Sequence, residues 1–237
     1  MREQGEIQTA IAELLQHCAT EGLRLPPEAA AQFEKYVALL LLWNERISLT
    51  GAKTAEEISL HHIFDSLHVL PLLAEGQRVT DVGSGAGFPG IPLAIARPDC
   101  GFALIEPRRK RANFLRHCTR ELGLVWVHVE EARVEDLQAR LESAFDVVLS
   151  RALADLATFV RLAAPLVAPT GKLVAMKGPH PEPELRDIPE GFKVLEVRRY
   201  QLPRQWGERT LVVLERAPEG SIERQHEARS RGPKVHS

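Results

Sequence analysis

Residues 78–91 read Arg78-Val-Thr-Asp-Val-Gly-Ser-Gly-Ala-Gly-Phe-Pro-Gly-Ile91. The first five of these residues include three β-branched side chains and predict a strand over 78–82. Three alternate glycines follow, and glycine allows a backbone to turn sharply and to approach a ligand closely. Pro89 then suits the start of a helix, whose first N–H groups are free to bind an anion or a polar ligand. The order strand, glycine loop, helix therefore predicts a ligand site.

Downstream of this segment, strand-like and helix-like patterns alternate to the end of the folded region. We expect strands near 78–82, 102–106, 125–129, 146–150, 171–176, 192–200 and 209–215. We expect helices near 90–96, 109–122, 136–142, 155–167 and 181–187. This alternation predicts an α/β fold with a doubly wound, mostly parallel seven-stranded sheet.

Upstream of it, the chain has helical periodicity. Apolar residues recur at three-to-four-residue spacing over 7–15 and 30–42, with the breaker Pro26-Pro27 between the two segments. Thr54 and Glu57 form a capping-box pattern, and 61–73 continues with a helical period. We therefore expect a helical region over 1–75 packed on a ligand-binding domain over 76–216, followed by a disordered tail over 217–237 that is rich in Arg and Glu.

The composition is that of a globular protein. Hydrophobic residues make up 44% of the 237 residues and charged residues 26%, which excludes disordered and collagen-like chains. No apolar run is long enough to cross a bilayer and the N-terminus has no signal-peptide pattern, so we expect a cytoplasmic protein. The three cysteines have no CxxC spacing, so we expect plain thiols and no metal site. The net charge of −2 neither requires nor excludes a nucleic-acid partner.

Two ligand classes fit the glycine loop. Gly85, Gly87 and Gly90 have the spacing of a dinucleotide fingerprint, and Glu106 follows at the distance expected for a ribose contact. Asp81 favours the other class, because a carboxylate repels a pyrophosphate but suits the α-ammonium group of S-adenosylmethionine. Glu106 can bind ribose hydroxyls in either case. The glycines alone do not decide between the two cofactors.

If the cofactor is S-adenosylmethionine, the sequence restricts the methyl acceptor. The Asn/Asp-Pro-Pro-aromatic clamp of exocyclic-amine methyltransferases is absent, and Ser150-Arg151-Ala152 stands in its place. No cysteine follows a proline, which argues against a covalent thiolate route to a pyrimidine carbon. Guanine N7 remains, because it carries no proton and needs no general base. Arg151 could donate to guanine O6; otherwise we expect it to pair with a carboxylate such as Glu106 or Glu135.

Across most of its length the chain closely resembles the glucose-inhibited division protein B family, bacterial small-subunit ribosomal RNA methyltransferases that modify guanine N7. The matching motifs are Trp43-Asn44, Leu49-Thr50, His62, Asp65-Ser66-Leu67, residues 81–93, Lys110-Arg111, Phe145-Asp146, Ser150-Arg151-Ala152 and Lys177-Gly178. The chain departs from the family pattern at Ser48, His61, Thr170 and Met176, all of which lie outside the glycine loop.

The resemblance implies a class I S-adenosylmethionine-dependent methyltransferase with an N-terminal helical extension, acting on 16S ribosomal RNA or the small subunit. We expect a monomer. Together with the loop chemistry, it predicts a cofactor site formed by Asp81, Gly83, Gly85, Gly87, Phe88, Glu106, Pro107, Arg108, Val134, Glu135 and Arg151. Arg151 and Lys177 are the expected positioning residues of the catalytic site.

For the RNA, the sequence predicts contacts with the run Arg108-Arg109-Lys110-Arg111 and with Asn44. Cations at a helix start oppose the helix dipole, which argues against a purely structural purpose for the run. Trp43 lies at helical spacing with leucines and is expected in the core. Two other functions remain open: an NAD-dependent oxidoreductase, which would bind NADH, and a non-enzymatic RNA-binding assembly factor, which would transfer no methyl group.

Overall fold

The computed structural model describes residues 2–151 and 153–218. A single seven-stranded sheet forms its centre. The strands are β1 (Arg78–Val82), β2 (Gly101–Ile105), β3 (Val127–Glu130), β4 (Phe145–Arg151), β5 (Val167–Lys177), β6 (Phe192–Gln201) and β7 (Glu208–Arg216). Their order across the sheet is β3-β2-β1-β4-β5-β7-β6.

The sheet is mostly parallel, as the sequence predicts. β1 lies at its centre, where Val79 is in register with Phe102 of β2 and with Val147 of β4. β7 alone is reversed: it runs antiparallel to β5 and to β6, its two neighbours. The predicted fold class is therefore confirmed, while the strand that reverses could not be predicted from the alternation of strands and helices.

Helices cover both faces of the sheet. The α-helices are α1 (Arg2–Thr20), α2 (Ala29–Asn44), α3 (Phe64–Leu67), α4 (Gly90–Ala96), α5 (Arg109–Glu121), α6 (Val134–Leu137), α7 (Leu156–Ala163) and α8 (Glu182–Leu185). The prediction of a helix over 136–142 was wrong in its bounds, because α6 starts at Val134, two residues earlier than predicted, and lasts one turn.

The N-terminal helices share a core with the sheet. Leu14 of α1 and Phe33 of α2 belong to the same buried apolar cluster as Leu104 of β2 and Phe114 of α5. The hydroxyl of Tyr36, fully buried in α2, donates to the carbonyl oxygen of Ala86 at 2.7 Å. Helix α2 is thereby fixed directly to the glycine loop.

The segment between α2 and β1 is less regular than its periodicity suggests. The capping box is confirmed, since Glu57 N donates to Thr54 Oγ1 and Thr54 N donates to the Glu57 carboxylate. A regular helix over 61–73 was wrong: a π-helix (Glu57–Ile63) leads into α3, and a 3₁₀ turn (Leu70–Leu72) follows. π-Helical turns are rare and often occur at functional sites.

Within the described residues, none of the helices combines the length and the apolar character that a bilayer crossing needs. The tail predicted from residue 217 lies, from residue 219 onward, outside the described residues.

Candidate functional site

The glycine loop connects β1 to α4 at the carboxyl edge of the parallel strands. Gly83, Gly85 and Gly87 all have positive φ, at +78°, +58° and +100°, a region that side chains disfavour. Gly83 N and Ser84 N both donate to Ile105 O, at 2.9 and 3.1 Å, which holds the loop against the end of β2. Ligands of open α/β sheets bind at this edge, so the loop lies where the sequence predicts a site.

The glycines of the loop have two different surroundings. A Cβ added at Gly83 would lie 2.9 Å from the side-chain tip of Leu153, and one at Gly85 would lie 3.7 Å from the guanidinium of Arg111. A Cβ at Gly87 would meet Ile91 at 2.6 Å, and one at Gly90 would meet Leu104 at 2.3 Å, both in the core. A side chain at Gly83 or Gly85 would meet the end of a long side chain, whereas Gly87 and Gly90 are required for packing in the core.

Asp81, near the end of β1, is fully buried, and only one of its two carboxylate oxygens has a hydrogen-bond partner among the described residues. Its Oδ2 accepts a hydrogen bond from Gly90 N at 3.0 Å. Its Oδ1 is buried and has no hydrogen-bond partner among the described residues. Burial raises the pKa of this carboxyl from 3.8 to about 7. An unpartnered buried carboxylate oxygen fits a ligand that brings a cation or a donor, and disfavours a pyrophosphate.

Glu106, which follows β2, fixes the loop from the other side. Its side chain is nearly buried; Oε2 accepts from Gly85 N at 2.9 Å and Oε1 accepts from Arg108 N at 2.8 Å. Each carboxylate oxygen has a second lone pair, so the group can still accept from ribose hydroxyls. Pro107 and Glu135 are exposed beside it, and Val134 is buried at the start of α6. These residues follow β2 and β3 and therefore share the carboxyl edge.

Arg151 joins the sheet to the N-terminal region. Its guanidinium contacts Asp65 Oδ2 at 3.3 Å, donates to His62 Nδ1 at 3.2 Å and lies 4.8 Å from the ring centre of Phe88. Tyr200 donates its hydroxyl proton to the other oxygen of Asp65 at 2.6 Å. The predicted pairing of Arg151 with Glu106 or Glu135 was therefore wrong: Arg151 pairs with Asp65, while the Glu106 carboxylate accepts from the backbone of Gly85 and Arg108.

His62 is a neutral hydrogen-bonding group in this network. Burial and the adjacent Arg151 lower its pKa to about 3. Since Nδ1 accepts from Arg151, the ring proton lies on Nε2, which donates to Thr50 Oγ1 at 3.1 Å. A neutral ring with both nitrogens engaged orients Arg151 and is unsuited to accepting a substrate proton.

An aromatic stack leads from the surface to the glycine loop. Trp206 stacks on His61 at 5.4 Å, His61 on His62 at 4.7 Å, and His62 contacts Phe88 at 5.0 Å. Arg209 donates to His61 Nε2 at 2.9 Å. Sequence reasoning missed Trp206, Arg209 and Tyr200. The sequence feature that could have indicated them is Gly207, which marks a hairpin between β6 and β7 at the same edge of the sheet.

The four basic residues at the start of α5 lie beside the loop. Arg108, Arg109 and Lys110 are exposed, and Arg111 donates to Ser48 O at 3.2 Å. Among the described residues, no carboxylate pairs with any of the four, although Arg116, one turn further along α5, pairs with Glu131 at 2.6 Å. Unpaired cations in one run are available to bind an anion.

The structure does not bring Lys177 and Asn44 to the loop as free groups. Lys177 Nζ donates to Ala154 O and pairs with Glu184, both at 2.7 Å. Asn44 donates to Ala52 O and accepts from the backbone N–H groups of Leu49 and Thr50. Both side chains hold backbone segments near the site, and their contacts with a substrate stay predictions.

The described part of the chain shows no cluster of His, Cys, Asp or Glu that could hold a metal ion. Cys18, Cys100 and Cys118 are buried and unpaired, which agrees with plain thiols. Burial raises the pKa of the Cys18 thiol to about 12 and raises that of Cys118 as well, so neither forms a thiolate near neutral pH.

Comparison with known sequences gives one consistent result. The sequence profile described as "GidB: rRNA small subunit methyltransferase G" matches residues 29–212. A ribosomal RNA small subunit methyltransferase G from Aromatoleum aromaticum is 44% identical over 209 residues, covering 86% of this chain and 98% of the relative. The protein of that name from Chromobacterium violaceum is 43% identical over 201 residues, covering 85% and 95%.

Solved structures show the same fold at lower identity. TYW2 from M. jannaschii, solved in complex with AdoMet, aligns with a TM-score of 0.55 at 15% identity, covering 73% of this chain and 80% of that one. MtNAS, solved with MTA and tNA, aligns with a TM-score of 0.56 at 18% identity, covering 88% and 76%. At such identities the likeness concerns the fold alone.

Proposed function

Because the chain belongs to the GidB family, rRNA small subunit methyltransferase G, we propose that it transfers a methyl group from S-adenosylmethionine to N7 of a guanine in 16S ribosomal RNA. The observation that carries the proposal is Asp81, a buried carboxylate with one unpartnered oxygen beside a glycine loop. That arrangement suits the α-ammonium group of S-adenosylmethionine and is unfavourable for NAD, whose pyrophosphate brings neither a cation nor a hydrogen-bond donor to that oxygen.

Residues at the ends of three strands, β1, β2 and β3, would hold the cofactor. Asp81 receives its amino-acid end, directly or through water, and Gly83 and Gly85, which carry no side chain, let the chain of atoms that follows approach the backbone. Glu106 accepts hydrogen bonds from the ribose hydroxyls. Its bonds to the backbone at Gly85 and Arg108 keep its carboxylate in place. Gly87, Phe88, Pro107, Val134 and Glu135 complete the proposed surroundings.

The reaction needs orientation more than proton transfer. When bound, S-adenosylmethionine supplies an electrophilic methyl group, which guanine N7 can accept with its lone pair. No protein base is required, in agreement with a His62 whose low pKa keeps it neutral and whose nitrogens are both engaged. Holding the acceptor in line and excluding water supplies most of the rate.

Arg151 is the residue proposed to position the guanine. Its contacts with Asp65 and His62 use one terminal nitrogen, Nη1, which leaves donors on the rest of the guanidinium for guanine O6. The ring of Phe88 lies against the guanidinium and limits its movement. A bidentate contact with O6 and N7 would block the reacting atom, so we propose a contact with O6 alone.

Lys177 is proposed to act through the backbone. Its bond to Ala154 O and its ion pair with Glu184 hold residues 153–155, and Leu153 of that segment borders Gly83. Glu184 also accepts from Leu156 N at 2.6 Å, which ties the start of α7 to the same group. Lys177 would therefore shape the wall of the cofactor site.

The RNA is proposed to meet the protein at the start of α5. Arg108, Arg109, Lys110 and Arg111 have no carboxylate partner within the described ranges and adjoin the loop, so they are placed to bind phosphates on either side of the target. We propose that a monomer acts on 16S ribosomal RNA, alone or within the small subunit, in the cytoplasm, where that substrate is found.

Transfer of labelled methyl groups to small subunits isolated from cells that lack this protein tests the proposal. We expect label in the small-subunit RNA, on a single guanine, and none in subunits from cells that contain the protein, because their site is already methylated. NADH binding without S-adenosylmethionine binding would instead support the oxidoreductase, and RNA binding without transfer would support an assembly factor.

A further inference from the structure

A groove between α2 and α5 lies outside the site described above. Leu42, Trp43, Arg46, Ile47, Lys110 and Asn113 line it, and its volume is about 340 Å³. We call it the Trp43 groove. Its volume falls within the roughly 300–1,000 Å³ typical of ligand pockets.

The wall of the groove is apolar and partly aromatic. The side chain of Leu42 is 52% exposed, which is unusual for a leucine on a helix that buries Phe33 and Leu40 completely. Trp43 is half-buried, and its ring contacts Phe114 at 5.5 Å and His117 at 5.4 Å. These two rings fix the indole in one orientation, so the groove offers a rigid surface on which a planar apolar group can lie.

The rim of the groove is positive. Arg46 and Lys110 are both exposed, and neither has a carboxylate partner in the part of the chain that the structure describes. No acidic residue lines the groove. A planar apolar wall with unpaired cations at its edge is complementary to a nucleotide, because the base has a π-face and the phosphate is anionic.

The groove adjoins the cofactor loop. Lys110 is followed by Arg111, whose guanidinium lies 3.7 Å from the Cβ position of Gly85 and donates to Ser48 O at 3.2 Å. A strand of RNA whose target guanine enters the site would therefore pass along the start of α5 and reach the Trp43 groove.

Resting on the proposed function, we infer that the Trp43 groove binds an unstacked base of the RNA strand that carries the target guanine. The base lies against Trp43 and Leu42, and Arg46 and Lys110 bind the phosphates that flank it. The charge of the rim favours RNA over an apolar side chain of a protein partner, since an apolar side chain would leave both cations unpaired.

Two single-stranded probes of equal charge test the inference: an RNA of about 12 nucleotides and an abasic ribose-phosphate strand of the same length. We expect the protein to bind the RNA roughly fivefold or more tightly, as base stacking on one aromatic residue would give. Leu42→Asp should remove this preference by placing a charge on the wall. Val125→Asp is the matched control, because Val125 is 92% exposed in a turn outside the groove.

A second pair of variants tests the rim. Arg46→Glu should weaken binding of both probes. Arg24→Glu, the same charge reversal before the start of α2, should not, because the groove lies at the other end of this helix. α2 has 16 residues and is therefore about 24 Å long. Equal binding of both probes by the unmodified protein, or a preference that survives Leu42→Asp, would overturn the inference. The inference would also be overturned if Leu42→Asp weakened binding to intact subunits but not to the RNA probe, because the groove would then bind a protein partner.

Methyl transfer to subunits is measured separately and isolates the proposed function. Leu42→Asp should raise the KM for subunits with the affinity for S-adenosylhomocysteine unchanged, since Leu42 does not touch the glycine loop. Base-dependent binding in the groove with no methyl transfer would remove the proposed function and leave the groove. Methyl transfer with no base-dependent binding would leave the proposed function and remove the role of the groove.

Discussion

Asp81 combines a structural cost with a proposed binding role. The carboxyl is fully buried, and its pKa of about 7 shows that the charged form is disfavoured when no ligand is present. Between the unfolded pKa of 3.8 and the folded pKa, only the folded chain binds this proton. The contribution of Asp81 to stability therefore falls as the pH rises through that window.

A cationic ligand should make the charged form of the Asp81 carboxyl the favoured one. An α-ammonium group near Oδ1 stabilises the carboxylate, so we expect the affinity for S-adenosylhomocysteine to rise at least about fivefold between about pH 5.5 and about pH 7.5. Titration calorimetry at both pH values measures this change. The Asp81→Asn protein should bind S-adenosylhomocysteine more weakly and lose most of the pH dependence. If it keeps the pH profile of the unmodified protein, Asp81 does not contact the ligand.

Gly83 is the position where a side chain should interfere most with the cofactor. Its φ is +78°, and a Cβ there would lie 2.9 Å from the side-chain tip of Leu153, which borders the proposed cofactor site. We expect Gly83→Val to lower the affinity for S-adenosylhomocysteine by well over tenfold, that is by more than about 1.4 kcal/mol. Gly101→Val is the control, because nothing lies within 4 Å of its Cβ position. Unchanged affinity in Gly83→Val would contradict the placement of the cofactor.

Helix α5 begins with cations where the helix dipole is positive. Arg109→Ala with Lys110→Ala should therefore leave the free energy of unfolding unchanged or slightly higher. The same double variant should raise the KM for subunits and reduce the slope of log affinity against log salt by roughly 1 to 2, as expected for one or two lost phosphate contacts. Cofactor affinity should not change.

Two exposed arginines elsewhere provide the control for α5. Arg24 and Arg186 have no carboxylate partner among the residues described, so changing both to Ala alters the net charge by the same amount. This control should keep the salt dependence of the unmodified protein. If both double variants change the slope equally, the effect is one of net charge, and α5 is not the RNA contact.

Helix α3 and strand β6 meet through Asp65. Its carboxylate, 4% exposed, accepts from Tyr200 and pairs with Arg151, so Asp65→Ala leaves a half-buried cation and a half-buried hydroxyl without this carboxylate. We expect a loss of about 3 kcal/mol or more in the free energy of unfolding, and about 1 kcal/mol for Tyr200→Phe.

Urea denaturation measures both of these stability losses. Lys193→Ala removes an exposed pair with Glu215 and should cost less than about 1 kcal/mol. An Asp65→Ala protein as stable as Lys193→Ala would show that the buried network does not hold the N-terminal region to the sheet.

Much of the molecule could be predicted from local patterns. The strand, loop and helix around the glycines depend on residues close in sequence, and β1 and α4 have the predicted bounds. The capping box of Thr54 and Glu57 is local as well. Strand number and the mostly parallel sheet follow from the alternation of such local elements.

What could not be predicted depends on residues far apart in sequence. Arg151 pairs with Asp65, 86 positions away, and Tyr200 reaches the same carboxylate across 135 positions. Arg151 pairs with Asp65 because of how α3 packs on the sheet, and the helical periodicity of the sequence does not reveal that packing. The Trp206–His61 stack likewise requires the β6–β7 hairpin to lie at the carboxyl edge of the sheet.

Taken together, the molecule brings three groups to one edge of the sheet: a cofactor loop, a neutral His–Arg network and a run of free cations. This arrangement fits methyl transfer to an acceptor that is already nucleophilic. The central claim is therefore that the methyl group goes to guanine N7.

Small subunits reconstituted with 16S ribosomal RNA that contains 7-deazaguanine test this claim most directly, because a C–H group replaces N7 and the other atoms of the base are kept. With labelled S-adenosylmethionine, we predict methyl transfer to subunits that contain ordinary guanine and none to subunits that contain the 7-deaza base. Equal incorporation of label into both would show that the methyl group goes to another atom and would contradict the account.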